Sequence, residues 1–380
     1  MDTAFFDTNK YKTIFDMQDA ANEDQLAIIS EMNNTSALVA SAPVIESSDG
    51  MTHRFTREGE FVNTAKAASL TEGYVAGTDG RTSTKEIQIG RITDARVFEH
   101  LEAPNASDDG VAAKVVALQN MSRSLIEKKA HDIMYGGNDS LGKEILGLTT
   151  YLEKIGDINT MFRKIDQNKN PFDGENCLAL SNRTGVGTLS DASTVEEAKT
   201  GSVWTSVYGI AWGNSGVFTV YPKNRPIGGY NTTWHMDDKK EYVDKMTGET
   251  KMTWNDTVTG EALFGAGVAN RFCLNGLRNI YLDHVKEEDT MLEMANVARN
   301  IRNLYRFFRK GRTDTQMIFF CNDTLLAQMD GYLQNRVIQA STDPAGNLGY
   351  FIDNFDTLRL SNNILLVSDF AVKMDEKFVG

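Results

Sequence analysis

The nearest approach to a catalytic motif is Gly137-Asn-Asp-Ser-Leu-Gly142-Lys143, which has the GxxxxGK spacing of a phosphate-binding loop. In such a loop the backbone N–H groups cradle phosphates and the lysine reaches the outer ones. The next residue should be Ser or Thr, whose hydroxyl binds magnesium; here it is Glu144, whose carboxylate would face phosphate charge. The loop should also follow a strand and open a helix, whereas this one follows a long helical pattern. It reads as a glycine-rich connection. Gly185-Val-Gly187 lacks the third glycine and the preceding strand of a dinucleotide fingerprint. Asp166-Gln-Asn168-Lys-Asn170 opens like a calcium loop, but Pro171 stands where glycine makes the turn and Cys177 where a glutamate closes the site.

The histidines (His53, His100, His131, His235, His284) show no metal-ligand spacing, and none pairs locally with a cysteine. Cys177, Cys273 and Cys321 form no CxxC pair, and an odd count is no complete disulfide framework. That usage fits folding in a reducing compartment. Cys321, inside Ile318-Phe-Phe-Cys, reads as a small core residue. With 52 acidic side chains, carboxylate pairs occur by number alone and do not signal a glycosidase. The sequence is therefore expected to encode no enzyme and to hold no cofactor or metal.

One charged pattern stands out. Arg299, Arg302, Arg306 and Arg309 recur on one face of a helical repeat, and Lys310 and Arg312 extend the cluster. It reads as a solvated face, as a partner for a neighbour's carboxylates, or as a contact to phosphates, which positions nucleic acid without reading its sequence. Overall, 39 basic against 52 acidic side chains give −13, which excludes the strongly basic signature of a dedicated nucleic-acid binder.

The elements that would position these residues follow from patterning. At about 150 residues per domain, 380 residues suggest two or three compact units, and 41% hydrophobic residues supply real cores. Met1 to Lys12 carries Asp2, Asp7 and Lys10 and is not expected to be a signal peptide. No run approaches the ~18 apolar residues that span a bilayer, so no membrane partner is expected. Residues 1–50 read as an arm without a core, with a short helix over Asn22 to Met32. Residues 51–101 read as a long β excursion, strands near Met51–Val62 and Lys85–Phe98 flanking a Gly- and Thr-rich tip. Asp109 to Tyr135 has no proline, repeats Val111, Val115, Leu118, Leu125 and Ile133 at helical spacing, and stops at Gly136-Gly137, a carboxy-terminal cap. Ser202–Tyr221 reads as two strands turning at Asn214-Ser215-Gly216, and Lys240–Trp254 as a hairpin around Thr247-Gly248-Glu249. Thr290–Lys310 is a helix with Leu292, Ala295, Ala298, Ile301, Leu304, Tyr305 and Phe308 on its apolar side. Met317–Cys321 is a strand. A helix over Asp323–Leu333, capped by Asn322 or Asp323, and two strands around Asn362-Asn363 complete the chain.

This order of parts resembles the major capsid proteins of tailed bacteriophages, the Hong Kong 97-like fold, most of all the short-tailed-phage group. Residues 51–101 resemble the family's extended loop and 105–135 its spine helix. Glu144-Ile-Leu-Gly147-Leu-Thr-Thr-Tyr151 resembles the entry to the axial domain. Ile210-Ala-Trp-Gly-Asn-Ser-Gly-Val-Phe-Thr-Val-Tyr-Pro-Lys223 resembles a strand pair of that group, and 291–330 and Leu358–Phe370 the axial core and last strands. The resemblance implies an α+β chain with an amino-terminal arm at 1–50, an extended loop at 51–103 and a spine helix at 104–140. It implies axial parts at 141–223 and 273–380, with peripheral long strands at 224–272 between them. It further implies a non-enzymatic virion subunit, assembled in the bacterial cytoplasm, that forms pentamers and hexamers around double-stranded DNA. Expected partners are a scaffolding protein, a portal, decoration proteins and non-specific DNA; no covalent crosslink is expected. The alternative is the shell of an encapsulin-like nanocompartment. Candidate subunit contacts are Phe55, Arg57, Phe61, Arg81, Lys85, Ile87 and Ile89. The cluster Arg299, Arg302, Arg306, Arg309, Lys310 and Arg312 is a candidate inter-subunit or DNA-facing patch.

Overall fold

The structure is a computed structural model that describes residues 13, 28, 30–32, 34–57, 83–99, 113–137, 145–152, 155–156, 177–179, 204–225, 227–243, 246–284, 287–310, 317–334, 357–360 and 364–377. In chain order its elements are α1 (Ala37–Ser41), β1 (Val44–Glu46), β2 (Thr52–Arg57), β3 (Ser83–Gln88), β4 (Gly90–Glu99), α2 (Ala113–Tyr135), β5 (Ile155–Gly156), β6 (Cys177–Ala179), β7 (Trp204–Ala211) and β8 (Val217–Tyr221). There follow β9 (Tyr230–Val243), β10 (Thr250–Val268), β11 (Leu274–Tyr281), α3 (Glu287–Lys310), β12 (Met317–Cys321), α4 (Asp323–Gln334), β13 (Thr357–Leu360) and β14 (Ile364–Ser368).

Two sheets organise the molecule. The first has the order β1-β8-β10-β4, with β9 also paired to β10; the second has the order β13-β14-β12-β7-β11-β6-β5. β10 is antiparallel to β9, β4 and β8. The hairpin expected around Gly248 is present, and Gly248 carries the positive φ of 69° that the turn needs.

The turn expected at 214–216 between two strands is present, but the strands it joins do not pair as a hairpin. β7 pairs with β11 and β12, whereas β8 pairs with β1 and β10, so the two strands enter different sheets and only a single bridge, Trp212 with Val217, spans the turn. Every residue of β7 is buried, as is nearly all of β8. A strand buried on both faces carries no alternation to say which sheet it joins. The strand at 217–221 thus lies with the long strands 230–268, not with 204–211 where the axial segment 141–223 would put it.

The arm also differs from expectation. Ile28, Met32 and all five residues of α1 are buried, most of them in the main core of this same chain. β1 adds a parallel strand to β8. Ser36 caps α1, its Oγ accepting from Val39 N, and donates its own hydroxyl proton to Asp369 Oδ2 at 2.8 Å. The inner half of the arm is therefore part of the body.

α2 spans 23 residues, about 35 Å at 1.5 Å per residue. Leu118, Leu125 and Ile133 are buried as the spacing predicts, together with Met121 and Ile126. Val115, expected on the same side, is 47% exposed, as is its neighbour Val116 at 42%. Gly136 ends the helix for a different reason from a left-handed cap. Its φ is negative, and a side chain there would overlap Ile145 O and lie 2.6 Å from Asp132 O. Its carbonyl accepts from Gly147 N at 2.8 Å, so the returning chain presses directly on the helix end.

α3 lays Met294, Val297, Ile301, Leu304 and Phe307 into the core, and Phe272 packs on Phe307 with ring centroids 4.9 Å apart. Of the residues expected on this face, Leu292 is exposed, whereas Tyr305 is half-buried and packs at the edge of the core. Asn322 caps α4, its Oδ1 accepting from Leu325 N at 2.8 Å.

Candidate assembly surfaces

The base of the excursion is an aromatic and aliphatic plug. Phe55 meets Phe218 edge-on at 5.2 Å, and His53 does so at 5.7 Å. Ile87 and Ile89, each 6% exposed, pack with Phe218, Val220 and Leu263 in a second core, with half-buried Phe55 at its edge. Gly267 makes room: a Cβ there would overlap Ile87 Cδ1 and lie 3.0 Å from Phe218 Cζ. This corrects the expectation that Ile87 and Ile89 are surface for a neighbour. The chain's own β8 and β10 already cover them. Burial lowers the pKa of His53, and its Nδ1 accepts from Ser48 N at 3.2 Å, which fixes the neutral ring.

Other expected contact residues are distributed differently. Lys85 is exposed on the β2–β3 ribbon. Arg57 is half-buried, with its guanidinium 5.4 Å from the Tyr151 ring centroid. An exposed ion pair, Arg54 to Glu86 at 3.3 Å, bridges the two strands and contributes under ~1 kcal/mol. Phe61 and Arg81 lie outside the described residues.

The hairpin expected around Gly248 forms a second two-stranded element, whose extension beyond β4 the sequence did not indicate. β4 pairs with β10 only as far as Glu99 opposite Asn255, whereas β9 and β10 continue together to Val243 opposite Thr250. Beyond Asn255, among the described residues, the β9–β10 hairpin is a two-stranded ribbon. Val243 is 61% exposed and Met246, at the turn, 96%. Two strands alone are marginally stable in water. The missed signal is the length mismatch between β4 and its neighbours, which needs the register.

Two buried carboxylates tie together segments far apart in the chain. Glu376 accepts from Tyr135 Oη (2.6 Å), Tyr208 Oη (2.8 Å) and Ser206 Oγ, and from Arg278 Nη2 at 3.3 Å. Burial, reinforced by Tyr208 and Glu376, pushes the Tyr135 phenol far above its ordinary range; burial and then Glu376 do the same for Tyr208. Both phenols remain donors at any physiological pH. Asp369 accepts from Ser36 Oγ and Leu38 N through Oδ2 and from Ala371 N through Oδ1, each at 2.8 Å. Lys129 of α2 is buried with Nζ 4.6 Å from the Tyr230 ring centroid and 5.2 Å from that of Phe264; desolvation pushes its pKa down to about 7. Nothing local in the sequence marks any of these groups.

The arginines lie on the outward side of α3. Arg299, Arg306 and Arg309 are exposed and Arg302 is half-buried; Arg312 and the side chain of Lys310 lie outside the described residues. Cys273 and Cys321 are buried thiols, and burial raises Cys321 well above its ordinary value. Among the described residues, no three His, Cys, Asp or Glu side chains group as metal ligands, and no helix is long and apolar enough to cross a membrane. Of the GxxxxGK segment from Gly137 to Lys143, only Gly137 falls among the described residues.

No family model and no curated protein matches the sequence. Solved structures do match. A near-atomic-resolution structure of bacteriophage Epsilon15 aligns over 97% of this chain and 98% of its own at 13% identity, with a TM-score of 0.53. The capsid of bacteriophage JBD30 aligns over 78% and 82% at 10% identity, with a TM-score of 0.41. The SrpI encapsulin of Synechococcus elongatus PCC 7942 aligns over 64% and 87% at 10% identity, with a TM-score of 0.34. The chain has the Hong Kong 97-like fold of phage capsid proteins, an α+β architecture. The resemblance read from the order of its parts extends to structure along nearly its whole length.

Proposed function

We propose that this chain is a major capsid protein, the subunit of an icosahedral phage head. The observation that carries this reading is the end-to-end likeness in fold to the Epsilon15 structure, with neither chain left substantially over. Two features of the subunit support it. The β9–β10 ribbon exposes Val243 and Met246, and Met51, just before β2, is exposed as well. Both gain cover when subunits meet, at roughly 25 cal/mol per Å² of apolar area buried. Many modest contacts acting together close a shell.

In this reading, subunits form pentamers and hexamers around double-stranded DNA, in the virion and after assembly in the host cytoplasm. A scaffolding protein, a portal and decoration proteins complete the head. Domain limits follow the sheets: β1, β4 and β8–β10 with α2 form the peripheral unit, and β5–β7, β11–β14, α3 and α4 the axial one.

The test is sedimentation and negative-stain microscopy of the purified full-length chain. Rings of five and six, or closed shells, are expected, and a large shell diameter separates a phage head from a compartment. A chain that stays monomeric over a wide concentration range, both alone and with a scaffolding protein present, would sink the reading.

A further inference from the structure

The outward face of α3 divides by charge. Its first turn carries Glu287, Glu288 and Asp289, and its second half Arg299, Arg302, Arg306 and Arg309. At 3.6 residues per turn, Glu288, Leu292, Ala295, Arg299, Arg302 and Arg306 fall within about 100° of arc, away from the buried Val297, Ile301, Leu304 and Phe308. Along the axis the face therefore runs acidic, apolar, basic. Leu292 in the middle is exposed.

Among the described residues, none of these charged side chains has an ion-pair partner. Arg302 Nε is shielded from solvent and has no acceptor. Glu288 and Arg302 are fourteen residues apart, about 21 Å along the helix, too far to meet within one subunit. The helix macrodipole favours the same signs at the same ends, but only within about the first and last turn. It accounts for Glu287–Asp289 and Arg309; Arg299 and Arg302 stand more than a turn further in.

We propose that this face is a contact between copies of the chain, with the arginine half of α3 on one copy lying against the Glu287–Glu288 turn of another. A nucleic-acid backbone satisfies only the arginines and repels the acidic turn. A second copy satisfies both ends and covers Leu292. Two subunits of charge −13 repel at long range, so a matched patch fixes where they touch more than how tightly. The inference rests on the shell-subunit reading above.

The test is charge reversal in the full chain, read by sedimentation and microscopy. Arg299→Glu with Arg306→Glu, or Glu287→Arg with Glu288→Arg, is expected to cut the yield of rings and shells about tenfold or more. All four together are expected to restore it to within about twofold. Unchanged circular dichroism of each variant shows that α3 still folds. As a second measure, Glu288→Cys and Arg302→Cys chains are mixed and oxidised; a disulfide-linked dimer is expected from the mixture. Reversal without effect, loss without rescue together with no crosslink, or normal shells that only retain DNA differently would each overturn the proposal. A wild-type chain that never assembles, alone or with a scaffolding protein present, would overturn the shell reading as well, so the two failures are told apart.

Discussion

Tyr135 closes the last turn of α2 and donates its phenol proton to Glu376 Oε1 at 2.6 Å, so the end of the spine helix and the carboxy-terminal segment share one buried carboxylate. Ser206 and Tyr208 reach the same carboxylate from β7 and Arg278 from β11. Backbone bonds between Glu376 and Trp204 run alongside. Helix, sheet and tail are thereby joined 241 residues apart in sequence. Glu376→Ala strands several buried donors and a guanidinium. A loss of about 3–5 kcal/mol is expected in denaturant unfolding, against about 1 kcal/mol for Tyr135→Phe. Equal losses for the two would show that the carboxylate is not the hub.

Asp369 acts likewise, holding Ser36 and Leu38 of the arm. Asp369→Ala should cost about 2–4 kcal/mol and expose residues 36–46 to limited proteolysis. Burial raises the Asp369 pKa, so holding it ionised opposes folding. Asp369→Asn removes that cost while keeping one acceptor, and should lose less than the alanine variant.

The seat of the β2–β3 ribbon depends on the absent side chain at Gly267. Gly267→Ala overpacks Ile87 and Phe218, for an expected loss of about 1–3 kcal/mol. Adding Ile87→Val trims the colliding methyl and should recover part of it. If the double variant is no better than the single, the clash lies elsewhere.

Lys129 sets a pH dependence. Its folded pKa is about 7 against 10.5 unfolded, so between these values the unfolded chain binds more protons. Stability therefore rises from pH 7 toward pH 10 by up to roughly 1.4 kcal/mol per unit from this group, and its cost is full below pH 7. The facing Tyr230 and Phe264 rings offset part of that cost. Lys129→Met should raise the melting temperature at pH 7 and flatten the profile up to pH 10. A parallel, unshifted profile would assign the dependence to other groups.

Val243 and Met246 stand exposed on the β9–β10 ribbon. Val243→Glu with Met246→Glu should leave the stability of the monomer within about 0.5 kcal/mol while lowering shell yield severalfold. A destabilised monomer with normal shells would contradict that division.

The sequence by itself determined the elements that depend on local periodicity and caps. Leu118, Leu125 and Ile133 at helical spacing mark α2, Gly248 marks the long hairpin, and the apolar run Met317–Cys321 and Asn322 mark β12 and the start of α4. Their linear order was enough to reach the fold. Tertiary structure alone decided what each element buries itself against. β8 and β7 are adjacent and apolar on both faces, so only pairing assigns them to different sheets. Ile87 and Ile89 alternate as any half-buried strand does, and the register of β10 with its gap at Gly267 decided that this chain covers them. Glu376, Asp369 and Lys129 carry no local signal, because a buried charge is defined by partners far away in the chain. Local patterns record how a segment folds; the choice of partner is a competition among long-range contacts, settled only when the whole chain has closed.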